Sequence, residues 1–227
     1  MKTLFRSLVV IAFLTISPLS KAGTYNDFFK ALQFDNPQEV QQLIARGVDP
    51  NWPNEKGVPA LIVALQSNAP NCALYLAKLE ATQVNVVSAA GETPLMLAAL
   101  NNQLDVAQVL IDRGAEINFK GWTPLHYAAT HGHVAMIHLL LDNSAYIDAE
   151  APNGNTPLIM ATQFGSPQSV KVLLEEGADP TLRNNANISA LDISEHFEFK
   201  QSAFYLRAFL EAWELQERST AAAADDE

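Results

Sequence analysis

Apolar residues recur at helical spacing in three stretches in the middle of the chain. Within each stretch they lie largely three and four positions apart, which places them on one side of an α-helix. They are Val106, Val109 and Leu110; Met136, Ile137, Leu139 and Leu140; and Val170, Val172, Leu173 and Leu174. A shorter segment with small residues at its centre precedes each stretch, at Ala98-Ala99, Ala128-Ala129 and Ala161-Thr162. The pattern predicts pairs of short helices that pack closely together.

These helix pairs are copies of one unit. The pattern Gly-x-Thr-Pro-Leu begins at Gly91, Gly121 and Gly154, at spacings of 30 and 33 residues, and weaker copies begin at Gly57 and Asn187. A Thr before Pro starts a helix, because the hydroxyl accepts a hydrogen bond from a free backbone N–H and Pro has no N–H to lose. The chain therefore contains an internal repeat of about 33 residues, which decides its architecture.

The segment Thr123-Pro124-Leu125-His126-Tyr127-Ala128 resembles the helix start of the ankyrin-repeat family at every specified position, and the resemblance covers about residues 24–215. It implies an all-α solenoid of about six stacked helix-turn-helix units with short β-hairpin or loop fingers. One unit cannot bury its own apolar face, so stacking must do so. The implied repeats are approximately 24–56, 57–90, 91–120, 121–153, 154–186 and 187–216.

Two repeats depart from the family pattern. The second lacks Thr-Pro and has Ala81 where Gly is expected, so we expect its second helix to end irregularly. The link from Ile117 to Gly121 is three residues short, which predicts a blunted finger. Drift or a cavity for a partner would explain the deletion, and we favour drift because loops tolerate deletions. At the chain end, residues 217–227 are small and acidic and predict a disordered tail after a domain over 23–216.

Residues 1–22 have the plan of a cleavable signal peptide. Lys2 and Arg6 precede an apolar run from Leu8 to Ile16, and a small-x-small triplet ends at Ala22. The run is too short to cross about 30 Å of hydrocarbon, and the helix-breaking Pro18 follows it. We predict cleavage after Ala22, export to the periplasm, with secretion as the alternative, and no membrane insertion of the mature chain.

Charge and cysteine content narrow the classes of partner. The chain has a net charge of −11, and loss of residues 1–22 would make it about −14, because three basic and no acidic residues are removed. Such a surface disfavours nucleic acid. The single Cys72 cannot close an intramolecular disulfide, and it aligns with the core positions Val106 and Met136. A buried thiol is a poor nucleophile, and we predict a monomer.

The sequence offers little catalytic chemistry. Four of the five histidines lie in one repeat, at His126, His131, His133 and His138. A metal site would need three or four ligands converging on one ion. In the ankyrin family, however, His is common at the positions of His126 and His133, and the repeat geometry implied for His131 and His138 puts them on different surfaces. We predict no enzyme activity, no metal and no cofactor.

A protein-binding surface remains. In the ankyrin family, partners are bound by the finger tips and by two variable residues at the end of each first helix. Carried over one position at a time, this implies the binding residues Trp52, Leu100, Phe119, Trp122, His131, Glu150, Asn155, Gln163 and Phe164. Exposed aromatic residues are enriched among interface hot spots. The alternative is that Trp52 and Trp122 fold back onto their own fingers as packing.

Two functions fit this surface. One is a periplasmic adaptor, companion or stabiliser of an envelope protein; some exported bacterial ankyrin proteins are similar to this one and support a catalase, so peroxide resistance is one specific form. The other is an immunity or inhibitor protein that blocks a toxin enzyme, whose basic surface would suit an acidic binding face. An enzyme with an unrecognised site among the histidines is the third alternative.

Overall fold

The computed structural model describes residues 18–164 and 166–225, with side chains described from Gly23 to Leu215. The described residues form twelve α-helices and no extended strand, which confirms the predicted all-α class. They are α1 Pro18–Gln33, α2 Pro37–Ala45, α3 Ala60–Gln66, α4 Pro70–Lys78, α5 Pro94–Leu100, α6 Leu104–Asp112, α7 Pro124–Thr130, α8 Val134–Asp142, α9 Pro157–Gln163, α10 Pro167–Glu175, α11 Ala190–His196 and α12 Lys200–Asp225. Consecutive helices form six pairs, and each pair packs on the next.

In three repeats the first helix starts at a residue whose side chain caps it. The hydroxyls of Thr93, Thr156 and Ser189 accept hydrogen bonds from backbone N–H groups three residues later, at 3.2–3.3 Å.

The fingers that precede these helices are mostly loops. Isolated antiparallel bridges join Pro53 to Pro59 and Arg183 to Ser189, so two of the expected hairpins are reduced to a single pairing.

One continuous apolar core runs the length of the stack from Phe28 to Leu206. The Leu of each intact helix-start signature is almost fully buried, at Leu95, Leu125 and Leu158. The small residues at the helix centres have no exposed surface, at Ala98, Ala128 and Ala161. Burying each such leucine contributes about 1.5–3 kcal/mol. These contacts form only when neighbouring repeats are stacked.

Asparagine side chains join successive fingers through the same pair of hydrogen bonds. Asn51 donates to the carbonyl of Ala81 at 2.7 Å and accepts from the N–H of Gln83 at 2.8 Å. Two further asparagines repeat this pattern in the next joints: Asn85 with Gly114 and Glu116, and Asn118 with Ser144 and Tyr146. A carboxamide provides both a donor and an acceptor, so it satisfies both backbone groups.

The fourth joint has a carboxylate in place of this amide. Asp148 accepts from the N–H of Asp179 at 3.2 Å, but an ionised carboxylate has no hydrogen to donate to the carbonyl of Gly177, which is the equivalent of Gly114. Partial burial raises the pKa of Asp148, the charge of Asp179 raises it further, and the bond from the Asp179 N–H opposes both. The joint between the fourth and fifth repeats is therefore weaker at neutral pH than the three before it.

We predict that Asp148→Asn raises the free energy of unfolding by about 1 kcal/mol at pH 7, because an amide supplies the missing donor. A raised carboxyl pKa in the fold means that the protonated form is the stabilised one, so stability from this group is present at low pH and lost as the pH rises. The advantage of the amide should therefore shrink as the pH falls through the raised pKa of Asp148, and should change no further below about pH 3.9, the ordinary pKa of an aspartate. Urea denaturation at several pH values measures both effects.

The matched control is Glu150→Gln, which removes a charge from an exposed position in the same finger. An equal gain from Glu150→Gln would show that the effect is net charge, and would contradict the account of the joint.

The guanidinium group of Arg113 bonds to the backbone carbonyls at the irregular end of the second repeat. Helix α4 ends at Lys78 with an extended residue, Leu79, in place of the usual turn. Arg113, from the next repeat, donates to the carbonyls of Ala77, Glu80 and Thr82 at 2.8–3.1 Å. The expected irregular end is present, and its free carbonyls are satisfied from the neighbouring repeat.

Both ends of the chain differ from the sequence-based expectation. Helix α12 continues to Asp225, so residues 217–225 are helical where a disordered tail was predicted; the alanines at 221–224 have the highest helix propensity of any residue. Helix α1 begins at Pro18 and spans the predicted cleavage bond after Ala22, while residues 1–17 of the predicted signal peptide lie outside the described residues. Within the described chain, no helix is long and apolar enough to cross a membrane.

Candidate functional site

The first helices of successive repeats pack side by side and, with the fingers, form what we call the inner face. Four of these helices contain no Asp, Glu, Lys or Arg: α3, α5, α7 and α9 read ALIVALQ, PLMLAAL, PLHYAAT and PLIMATQ. Charged residues lie instead on the fingers and on the second helices. The middle of the inner face is therefore apolar and close to neutral, although the chain as a whole is acidic.

A cavity of about 230 Å³ opens on this face where the third, fourth and fifth repeats meet. Its walls are almost wholly apolar, and it is lined by Leu100, Trp122, His126, Tyr127, Thr130, His131 and Met160. Three of the residues predicted to bind a partner are brought together here, namely Leu100, Trp122 and His131. We call this space the inner-face cavity.

Hydrogen bonds to the backbone hold the imidazoles at its edge. Nδ1 of His131 lies 3.1 Å from the carbonyl of Tyr127, and Nε2 of His133 lies 3.0 Å from the carbonyl of Leu100, so both nitrogens donate. The two rings stack with centroids 5.7 Å apart. Trp122, which is half-buried, meets His126 edge to face at 5.4 Å. The aromatic walls are thus fixed by neighbours on several sides.

His126 forms the floor and is fully buried. Its Nδ1 accepts from the N–H of Thr123 at 3.1 Å, and its Nε2 donates to the carbonyl of Asn155 at 3.0 Å. This pattern requires the neutral imidazole, because Nδ1 must keep a lone pair. Burial lowers the pKa of His126 to about 4, although hydrogen bonds to backbone carbonyls of Asn155 and Ala149 act in the opposite direction.

Comparison with known proteins agrees with this architecture. A family model described as ankyrin repeats (3 copies) matches residues 28–120 and 116–184. The chain belongs to the ankyrin-repeat family. This confirms the resemblance inferred from the helix-start signatures, and ankyrin repeats are modules that bind other proteins, typically without enzymatic activity.

Relatives of this ankyrin-repeat chain include much longer proteins. It is 32% identical over 146 residues to ankyrin repeat and SAM domain-containing protein 6 of Rattus norvegicus, covering 64% of this chain and 13% of that protein. The Mus musculus protein of the same name is 31% identical over the same length and coverage. Because the chain spans only about an eighth of these relatives, the likeness concerns their repeats.

A solved structure shows the same fold. An ankyrin repeat domain from Acinetobacter baumannii AYE matches with a TM-score of 0.71 and 24% identity, covering 80% of this chain and 96% of that one. At this identity the likeness establishes the shared solenoid and nothing about the partner.

Two of the predicted binding residues are not free surface in the ankyrin stack. Trp52 packs against the core beside Tyr25 and Phe28, with ring centroids 5.8 and 6.5 Å away, so the alternative of folding back applies to it. Asn155 is only 4% exposed, because its side chain bonds to Asn184 and approaches Met160. Asn155 is therefore a packing residue, whereas Trp52 packs on α1 while part of its surface stays exposed.

Four other predicted residues are not part of the cavity lining. Glu150, Gln163 and Phe164 are exposed, and Phe119 is half-buried in the short finger. Phe164 is 58% exposed and occupies the position after α9 that His131 occupies after α7. Exposed aromatic residues therefore occur at equivalent positions of adjacent repeats, with His131 in the cavity lining and Phe164 one repeat further on.

Four lining residues were absent from the predicted binding set, namely His126 and Thr130 and the equivalently placed pair Tyr127 and Met160. Tyr127 lies three positions before Thr130 on α7, which places the two on the same side of the helix. Met160 occupies the equivalent position on α9. Extending the family's variable positions by one helical turn would have found both.

The described residues give no support to metal or thiol chemistry. Among them, no group of three or more His, Cys, Asp or Glu side chains is placed to hold a metal ion. Cys72 is fully buried, and the pKa of its thiol is raised to about 12. The largest cause is burial, followed by the negative charge of Asp35 and by its hydrogen bond to the thiol. The thiol therefore stays protonated and is a weak nucleophile.

We predict that the buried His126 makes the ankyrin stack less stable in acid. The unfolded chain takes up a proton near pH 6.5, while the folded protein resists it down to pH about 4. Stability from the neutral ring is therefore present above about pH 6.5 and is lost as the pH falls through this window. The loss should be on the order of 2–3 kcal/mol, and His126→Gln should flatten it because glutamine does not titrate.

Thermal and urea midpoints between pH 7 and pH 4 provide the measurement. His138→Gln is the control, because His138 is exposed and only approaches Glu176 at 3.3 Å. If His126→Gln shows the same pH dependence as the wild type, the buried ring is not the source of acid sensitivity.

Proposed function

We propose that this ankyrin-repeat protein is an exported binding module that docks on one partner protein in the bacterial periplasm through the inner face of its third to fifth repeats. It would act as an adaptor, companion or stabiliser of that partner. The observation that carries the proposal is the inner-face cavity, an open apolar space with aromatic walls in an otherwise acidic protein.

The cavity has the chemistry of an interface centre. Apolar pockets that are lined by aromatic residues and fixed in advance concentrate binding energy at the middle of protein interfaces. Preorganised walls also reduce the entropy lost on association. The exposed Phe164 extends the apolar surface beyond the cavity, where an aromatic side chain in water is stabilised by a partner that covers it.

The export part of the proposal is based on the leader pattern in residues 1–22. The contacts that attach α1 to the stack involve residues after the predicted cleavage site. The hydroxyl of Tyr25 donates to the carbonyl of Pro53 at 2.9 Å, and Phe28 and Leu32 have no exposed surface. Removal of residues 1–22 would leave these contacts in place.

A second candidate is an inhibitor or immunity protein for a toxin enzyme. The feature that favours it is charge: a mature chain of net charge about −14 would attract a basic enzyme and speed its association. Peroxide resistance is one specific form of the first candidate and follows only from the family resemblance. The identity of the captured partner separates the two candidates.

We predict that a tagged wild-type protein, cross-linked mildly in the periplasmic fraction, retains one envelope protein that Trp122→Ala fails to retain. The tryptophan forms a wall of the inner-face cavity, and truncating an aromatic anchor of this kind costs about 2 kcal/mol or more of binding free energy. Mass spectrometry of the captured material identifies the partner, and the tagged protein should begin at Gly23.

Phe204→Ala is the matched control, because Phe204 is 67% exposed on α12 and far along the chain from the cavity. Equal thermal midpoints for the three proteins establish that folding is unchanged. Loss of the partner with Phe204→Ala but not with Trp122→Ala would place the interface elsewhere.

A further inference from the structure

We propose that the inner-face cavity binds one large apolar side chain of the partner, such as Leu, Met or Phe, and that Glu92 pairs with a Lys or Arg adjacent to it. This inference rests on the proposed function and names the chemistry of the segment that the inner face recognises. The ligand is therefore a short peptide segment that combines an apolar anchor with a basic neighbour.

The size and lining of the cavity select the anchor. A closed apolar cavity of about 150 Å³ is already sufficient for a benzene ring. The inner-face cavity, at about 230 Å³, therefore accommodates one large aliphatic or aromatic side chain. Leu100 and Met160 stand on the two neighbouring repeats and provide apolar contacts on both sides of it.

Little polar surface faces the cavity, and several polar groups of its lining residues bond within the protein. The hydroxyl of Thr130 donates to the carbonyl of His126 at 2.7 Å, and the ring nitrogens described above donate to other carbonyls. A polar side chain that entered would exchange its water for walls that are almost wholly apolar, which costs free energy. An apolar side chain has no hydrogen bonds to water to lose, so the cavity favours an apolar side chain over a polar one.

Glu92 supplies the negative charge that pairs with the basic residue of the partner. It occupies the position before Thr93 that Trp122 occupies before Thr123, so it lies on the inner face one repeat away from the cavity. Burial raises the pKa of the Tyr127 hydroxyl, and the negative charge of Glu92 raises it further, as expected for residues on adjoining repeats of this face.

This carboxylate has neutral partners only. It accepts from the hydroxyl of Ser88 at 3.2 Å and from the amide of Gln66 at 3.4 Å. None of the ion pairs formed among the described residues includes it. The neighbouring helices α3, α5 and α7 contribute no lysine or arginine. A half-buried carboxylate without a cation, beside an apolar cavity, is complementary to a basic residue next to an apolar one and repels an acidic segment.

The test uses a random twelve-residue peptide display library panned on the folded mature chain, residues 23–227. We expect enriched peptides to share a Leu, Met or Phe with a Lys or Arg adjacent to it. Thr130→Leu should reduce their affinity at least about tenfold by filling the cavity, and Leu100 shows that leucine is accepted at this register position in the stack. Glu92→Gln should reduce affinity several-fold at low salt and remove most of its salt dependence.

Glu211→Gln controls for net charge, because Glu211 is exposed on α12. Enrichment of acidic or polar peptides, absence of any shared sequence, or binding that Thr130→Leu leaves unchanged would each overturn the inference. If no peptide with an apolar and a basic residue binds, while the periplasmic partner is still lost with Trp122→Ala, the inference fails and the proposed function stands. If apolar and basic peptides bind as described but no periplasmic partner exists, the proposed function fails instead.

Discussion

Every feature of this protein depends on contact between successive repeats, because no helix pair can bury its apolar side by itself. The leucine of each helix start is buried only when the next repeat covers it. The same contact fixes the register of the repeats, so that residues 30 to 33 positions apart become neighbours on the inner face. The inner-face cavity is a product of this register: its walls come from Leu100 in one repeat, Trp122 in the next and Met160 in the third.

Hydrogen bonds that hold the stack together also shape the binding site. His133 reaches back to the carbonyl of Leu100, and His126 reaches forward to the carbonyl of Asn155. Each bond joins two repeats and at the same time orients a ring at or near the cavity. Stability and preorganisation therefore come from the same groups, and three of the four clustered histidines, His126, His131 and His133, bond to backbone carbonyls.

Local sequence rules were sufficient for the fold but not for the site. Helix starts follow from single residues such as Thr93 before Pro94, which act within one turn and were predictable. The packing of Trp52 and Trp122 was not predictable in this way, because both lie on fingers and only the packing of neighbours distinguishes them. Trp52 meets the rings of α1, whereas Trp122 meets His126 and leaves a cavity beside it. Asn155 likewise looked like a variable surface residue, and its burial depends on Asn184, 29 residues away.

The central claim is that a partner covers the inner face beside the cavity. The most direct measurement replaces Phe164 with the photo-cross-linking residue p-benzoylphenylalanine in the producing cell, and replaces the more exposed Phe204 on α12 in a parallel strain. Both substitutions conserve a phenyl ring at an exposed position, so they differ only in the surface that they probe. The account predicts one specific cross-linked partner from position 164 and none from position 204. The same partner cross-linked from position 204 but not from position 164 would contradict it.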